Sequence, residues 1–172
     1  AYRVAVLEPS LEAAFEALDA ALSDVLTDRD LTRLRNSAGR VKSKRRTWRK
    51  IGQPRYSERI TTVDDIPAVI DDLIGLRLTC TNLRDIEMVQ SALDSLPRRK
   101  GRSLWLDAKS ERDYVASPKP SGYRGWHVNL GIEVEVDGQR RPITCELQVR
   151  TLLQDSWGEL THEETYSKDG TL

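Results

Sequence analysis

Asp137-Gly138, set between two runs of alternating apolar and polar residues, constrains this chain more than any other feature. Such a pair between alternating runs is the signature of a two-residue β-hairpin turn, since Gly tolerates the positive φ the turn demands. Taking those residues as the turn pairs Val136 with Gln139 and sets the register. Counting outward, Ile132 opposes Ile143, Leu130 opposes Cys145 and Val128 opposes Leu147, an apolar face that must meet a core. The other face places Asn129 across from Glu146 and His127 across from Gln148. A solvated sheet face would alternate in the same way, but it favours Thr, Lys and Glu. Asn, His and Gln around one carboxylate read as a polar cleft.

The rest of the chain supplies helices and further strands. Leu11, Phe15, Leu18, Leu22 and Val25 recur at helical spacing, so residues 9–26 are expected to form an amphipathic helix with Pro9 in its first turn. A second helix is expected over Arg29–Asn36, a third within the basic run Val41–Ile51, and a short one from Thr62 to about Asp71. Leu73–Cys80 and Ser103–Ala108 read as strands. Ile86, Val89, Leu93 and Leu96 mark a helix that stops at Pro97. Lys109–Gly125, rich in charge, Pro and Gly, reads as a functional loop. A last helix is expected over Thr151–Tyr166, with Leu152, Leu153, Trp157 and Leu160 facing inward. These elements imply an α/β (α+β) domain, a mixed β-sheet flanked by helices.

At 172 residues the chain suits one domain, 1–172, with N-terminal helices over 1–36 and a core over 40–168. Its 27 basic and 27 acidic side chains cancel, but they are segregated. Arg33–Arg59 holds eleven Lys or Arg and one acid, Glu58, whereas Glu8–Asp30 is acidic. Concentrating the field on one element favours a local anion site over general coating of nucleic acid. Cys80 and Cys145 lie in apolar runs without a CxxC pair and read as buried thiols of a reducing compartment. No membrane span or signal peptide is visible, and a start at Ala1 suggests a domain processed or excised from a longer protein.

Asp72 and Glu146 are carboxylates on or beside strands in apolar surroundings, so each needs a cationic partner. With phosphate-binding cations nearby they suit Mg²⁺, which takes one or two carboxylates plus phosphate oxygens. Buried salt bridges, such as Asp72 with Arg77, would account for them equally well. Tyr123, beside Gly122 in a loop, offers a ring on which a base can stack, or it covers the core. His127, predicted to face the Glu146 side of the hairpin, favours the site. Only His127 and His162 exist, which argues against a zinc centre built on imidazoles. There is no GxxxxGK[ST] loop, so side chains must hold any nucleotide.

Six segments in order then resemble the synthetase domain of the RelA/SpoT family, with its nucleotidyltransferase-like fold. Arg40-Val41-Lys42 resembles R-x-K, and Asp72 to Arg77 resembles D-[IL]-x-G-[IL]-R. Arg112 to Val115 resembles K-D-Y-I, and Lys119 to His127 resembles K-x-x-G-Y-[RQ]-S-x-H. Glu146 to Thr151 resembles E-x-Q-x-R-T, and His162 with Tyr166 resembles H-x-x-x-Y. The resemblance implies transfer of the β,γ-pyrophosphate of ATP to the 3′-hydroxyl of a purine nucleotide, giving (p)ppGpp or (p)ppApp plus AMP. It implies that Asp72 and Glu146 hold Mg²⁺, with Glu146 helping to deprotonate the hydroxyl. It assigns Arg40, Lys42, Lys50, Arg77 and Arg112 to ATP, and Arg46, where the family usually has Ser, adds a further cation there. Tyr123 would stack on the acceptor base, with Lys119, Arg124, His127, Asn129 and Gln148 around the acceptor. Gly125 and Trp126 depart from the family pattern beside that platform, which leaves guanine and adenine both open.

The same resemblance implies an unregulated monomer acting in the cytoplasm. Family members of this plan include toxin domains of larger secreted effectors, countered by an antitoxin or immunity protein. Two other readings stand beside it: pyrophosphorylation of the tRNA 3′ end, with the basic run as a backbone track, and a non-catalytic nucleotide-binding module.

Overall fold

The alternating runs flanking the turn form the middle of a five-stranded sheet. In the computed structural model, which describes residues 6–62, 65–97, 104–136 and 138–168, the strands are β1 (Leu34–Val41), β2 (Ile74–Cys80), β3 (Leu104–Asp113), β4 (Trp126–Val136) and β5 (Gln139–Thr151). They lie in the order β1-β2-β5-β4-β3. The pair β2 and β5 is parallel and the other neighbours are antiparallel. The helices are α1 (Glu8–Ser23), α2 (Asp28–Leu31), α3 (Lys44–Ile51), α4 (Pro54–Ser57), α5 (Ile66–Val69), α6 (Leu83–Leu93) and α7 (Leu152–Lys168). The architecture is the expected mixed sheet flanked by helices.

The hairpin keeps the expected register: Val136 pairs with Gln139, Leu130 with Cys145, Asn129 with Glu146 and His127 with Gln148. Gly138 takes a φ of 73°, as the turn requires; Asp137 lies outside the described residues. Strand alternation then divides the sheet into two faces. Ile74, Leu76 and Leu78 of β2, Val128, Leu130 and Ile132 of β4, and Cys145, Leu147 and Val149 of β5 are buried in one cluster. Ala14, Leu18 and Leu22 of α1 and Ile86, Val89 and Leu93 of α6 complete it. Both cysteines are buried free thiols, as expected, and burial pushes each up to about 12.

The opposite face carries the polar positions of the same strands: Gly75 and Arg77 of β2, Glu146, Gln148 and Arg150 of β5, and His127 and Asn129 of β4. At its far end Gly131 lies under the buried Trp105 indole, and a Cβ there would come within 1.9 Å of Trp105 Cε2. The polar face is thus closed at one end by an aromatic lid that only glycine admits.

Several expectations require correction. Arg29–Asn36 is not one helix: α2 ends at Leu31 and β1 begins at Leu34. β1 is an edge strand with a register irregularity between Arg35 and Ala38, and its sequence shows no apolar alternation. Val25 lies beyond α1 and is 52% exposed; the buried positions of that helix are Ser10, Ala14, Leu18 and Leu22. β3 runs on to Asp113 through an irregularity, so the connecting loop starts only after it.

α7 does not turn Leu152, Leu153, Trp157 and Leu160 inward; they are 38–83% exposed. Its polar side meets the sheet instead. Arg77 binds Asp155 at 3.0 Å and Glu159 at 2.7 Å, and Arg150 also reaches Asp155. Charge pairing with the arginines of β2 and β5 decides which side of the helix faces in.

Candidate active site

Two neighbouring cavities open on the polar face. One, of about 630 Å³, is lined by residues including Arg40, Arg46, Arg77, Lys119, Tyr123, Gln148 and Arg150. The other, of about 460 Å³, is lined by residues including Lys50, Arg55, Tyr56, Asp71, Lys109, Arg112 and Asn129. They share Asp72, Tyr114, His127 and Glu146. Each has the volume of an ordinary small-molecule site. The carboxylates stand where the two compartments meet.

Asp72 sits in the turn that leads into β2, and two ammonium groups converge on it. Lys42 Nζ donates to Oδ2 at 2.5 Å, and Lys50 Nζ lies 2.7 Å from Oδ1. Oδ1 is buried against Lys50, so each oxygen of the carboxylate is met by an ammonium group. Burial opposes ionisation of Asp72, but the two lysines outweigh it and hold the carboxyl below its ordinary value. Lys50 answers in kind: burial works against its charge, yet Asp72 and Tyr56 raise its pKa.

Glu146, on β5 beside Gly75 of β2, has both oxygens engaged. Oε1 lies 3.2 Å from His127 Nδ1, and Oε2 accepts from Gln148 Nε2 at 2.6 Å. Burial pushes its pKa up, His127 and Gln148 pull harder, and the net result is a lowered value. The Asp72 charge is near enough to push it upward again. The two carboxylates therefore share one face and feel each other. They do not pair with Arg77, which belongs to Asp155 and Glu159.

Tyr123 is half-buried rather than a free platform. Its hydroxyl lies 2.5 Å from His127 Nε2, and burial raises the phenol above its ordinary value, so it stays protonated. Tyr114 meets it edge-on, Lys119 Nζ sits 5.0 Å from its ring centroid and Arg150 Cζ 4.9 Å. Arg112 lies opposite His127 on β3, its guanidinium donating to the Lys109 and Glu111 carbonyls. Asn129 donates to Asp71 at 3.0 Å.

The structure gathers most of the residues proposed from sequence but regroups them. Lys119 and Tyr123 share their cavity with Arg40, Arg46 and Arg77, while Asn129 lies with Lys50 and Arg112. Arg124 is not brought in: it is exposed, binds the Val115 carbonyl and lines neither cavity. The side chains of His162 and Tyr166 lie outside the described residues.

The model of the "Region found in RelA / SpoT proteins" matches residues 39–171. The chain belongs to this family. GTP pyrophosphokinase YwaC of Bacillus subtilis is 28% identical over 155 residues, covering 89% of this chain and 70% of that protein. GTP pyrophosphokinase YjbM of the same organism is 29% identical over 103 residues, 60% of this chain and 46% of that one. The crystal structure of B. subtilis small alarmone synthetase 1 bound to its product pppGpp superposes with a TM-score of 0.70 at 24% identity, covering 99% of this chain and 79% of that one. This last likeness establishes the fold.

Within this RelA/SpoT domain, the sequence placed Arg150 and Tyr114 in motifs without giving either a role, and it did not single out the Asp155–Gly158 stretch of α7 as part of the site. A role for Arg150 was within reach of the sequence: Glu146, Gln148 and Arg150 alternate along β5, so all three must share a face. As for a metal, Asp72 and Glu146 make a two-oxygen donor set, and no group of three or more His, Cys, Asp or Glu suited to an ion occurs among the described residues. That fits Mg²⁺, whose shell substrate phosphates complete, better than an ion held wholly by protein.

Proposed function

We propose that this domain is a pyrophosphokinase that moves the β,γ-pyrophosphate of ATP to the 3′-hydroxyl of a purine nucleotide. The observation that carries the reading is the placement of Asp72 and Glu146 together where two cation-lined cavities meet. Two substrates can occupy adjoining compartments with the carboxylates between their reacting groups. Glu146, kept ionised by His127 and Gln148, accepts the proton of the 3′-hydroxyl. The freed oxygen bonds to the β-phosphorus while the bond from that phosphorus to the α,β-bridging oxygen breaks, and AMP departs with that oxygen. Asp72 and Glu146 are the residues that would hold Mg²⁺, which when bound neutralises charge on the transferring phosphates. Arg40, Arg46 and Arg77 add fixed cations on one side, Lys50 and Arg112 on the other. Tyr123 offers its ring edge or face to the acceptor base beside Lys119.

The names of the relatives, GTP pyrophosphokinases, support a guanine nucleotide as acceptor. The test is incubation with Mg²⁺ and γ-labelled ATP plus GDP, GTP, ADP, AMP or bulk tRNA in turn. Label in GDP or GTP is the expected result. Label appearing with ATP alone would mean adenosine acceptors and (p)ppApp, and label in tRNA would mean an RNA-end enzyme. ATP that binds but gives up label to no acceptor overturns the reading. Growth arrest on induced expression, relieved by Glu146→Gln, tests a role as a toxin domain.

A further inference from the structure

Five side chains on the polar face close a ring. His127 Nε2 meets the Tyr123 hydroxyl, and Nδ1 faces Glu146 Oε1, a carboxylate oxygen that can only accept, so Nδ1 carries a proton. Glu146 Oε2 accepts from Gln148 Nε2. That bond fixes the amide orientation and leaves Gln148 Oε1 to accept from Arg150 Nη2 at 2.6 Å. Arg150 Cζ then lies 4.9 Å from the Tyr123 ring centroid, which closes the circuit.

Arg150 is anchored to α7 outside the ring. It is 5% exposed, and its Nη1 lies 3.4 Å from Asp155 Oδ1 on α7. A Cβ on Gly158 would come within 3.0 Å of the same Nη1. Glycine inside a helix is disfavoured, and here it gives the guanidinium room. Asp155 and Gly158 bound the place of Arg150, which touches two of the other four members directly, Gln148 and the Tyr123 ring.

We propose that Arg150 is a positioning residue that couples occupancy of the Tyr123 platform to the orientation of the Glu146 carboxylate. The proposal rests on the pyrophosphokinase reading for its consequence in catalysis, though not for the coupling itself. An acceptor base that shifts the Tyr123 ring shifts its hydroxyl on one side and its contact with Arg150 on the other. Both changes arrive at Glu146, one through each oxygen. A correctly seated acceptor therefore holds the general base in line, and a poorly seated one loosens it.

The variants Arg150→Lys, Tyr123→Phe and their combination test this. Each single change should lower kcat for transfer about tenfold, because orientation of the base is lost in the transition state. An Arg150 that merely backed the tyrosine ring would raise acceptor KM and leave kcat alone. Because the two act through one ring, the double variant should lose only about as much as either single one. A product of the single losses, or an unchanged kcat in Arg150→Lys, overturns the proposal. Nitrogen-15 spectra of the imidazoles give a second readout that needs no activity. With two histidines in the chain, His162→Gln assigns the His127 signals. The ring requires a proton on Nδ1 in the parent protein and a shift of the imidazole nitrogens in both single variants. His127 signals that move in Tyr123→Phe but not in Arg150→Lys would show that no coupling exists. If the parent protein transfers no label, the functional reading fails, and these spectra still decide the ring.

Discussion

Replacing Asp72 with Asn distinguishes a carboxylate compensated by its lysines from one strained for catalysis. An acidic pair gathered for a metal often destabilises the protein that holds it, so neutralising one member would then raise stability. The geometry here points the other way. Lys42 and Lys50 lie 2.5 and 2.7 Å from the two oxygens, and the side chains are 16%, 15% and 26% exposed for Lys42, Lys50 and Asp72. At an effective dielectric near 20 each contact has a gross attraction of about 6 kcal/mol, most of which is offset by desolvation. A net of about 1 kcal/mol for each pair remains, and Asp72→Asn should cost about 2 kcal/mol at pH 7. For a domain of this size that lowers the melting temperature by roughly 5 °C.

The pH dependence has a definite sign. Asp72 has a folded pKa below its unfolded value of about 3.9. Its contribution is therefore present above pH 4 and is lost as pH falls through the lower, folded value. Lys50 has a raised pKa, so its share is complete below its unfolded value near 10.4 and is lost only as pH rises beyond it. The gap in melting temperature between parent and variant should thus be flat from about pH 5 to 10 and close in stronger acid. Thermal melts of the metal-free proteins at pH 7 and pH 3 check this. A variant more stable than the parent at pH 7, or an equal gap at both pH values, refutes the account.

Glu146→Gln should lower kcat by about 10²-fold or more and lower the melting temperature modestly, as the loss of a carboxylate with a depressed pKa requires, without preventing folding; retention of parental activity would remove Glu146 from the chemistry. Tyr123→Ala should raise the acceptor KM about tenfold or more through lost stacking, with a much smaller effect on the KM for ATP, both read from initial rates. Gly131→Ala should destabilise by about 2 kcal/mol or more, since its Cβ would collide with Trp105; chemical denaturation measures it, and a neutral result would mean the indole can move.

The parts of this fold that were legible in the sequence are those where local chemistry and burial agree. The hairpin was readable in full because a two-residue turn and a strict alternation admit only one register, and that register placed His127 beside Gln148 and Asn129 beside Glu146. β1 was not readable, because an edge strand with a bulge needs no apolar alternation and its pairing with β2 depends on partners some 40 residues away. α7 misled for a related reason. Its leucines follow a helical period, but the groove it enters is lined by Arg77 and Arg150, so its acids turn in. Periodicity reports which residues share a face; it does not report what that face meets. Which residues share a cavity was not legible either, because residues adjacent in one motif, such as Tyr123 and Arg124, end on different sides of the backbone.

The charge segregation noted in the sequence resolves into two uses. Of the eleven cations in Arg33–Arg59, Lys42 and Lys50 bind Asp72 and Arg33 binds Asp85, anions supplied from outside the run. Arg40, Arg46 and Arg55 line the two cavities. The outermost cations, Lys44, Arg45 and Arg49, lie on the exposed side of α3. The run is therefore not one uniform track: its inner half is committed to carboxylates and cavities, where screening is weak. A small polyphosphate that enters the cavities meets positive charge already oriented by the fold, whereas a long polyanion would engage chiefly the outer cations, where salt competes. This division of the same segment favours a mononucleotide acceptor and makes ionic strength the variable that separates it from RNA.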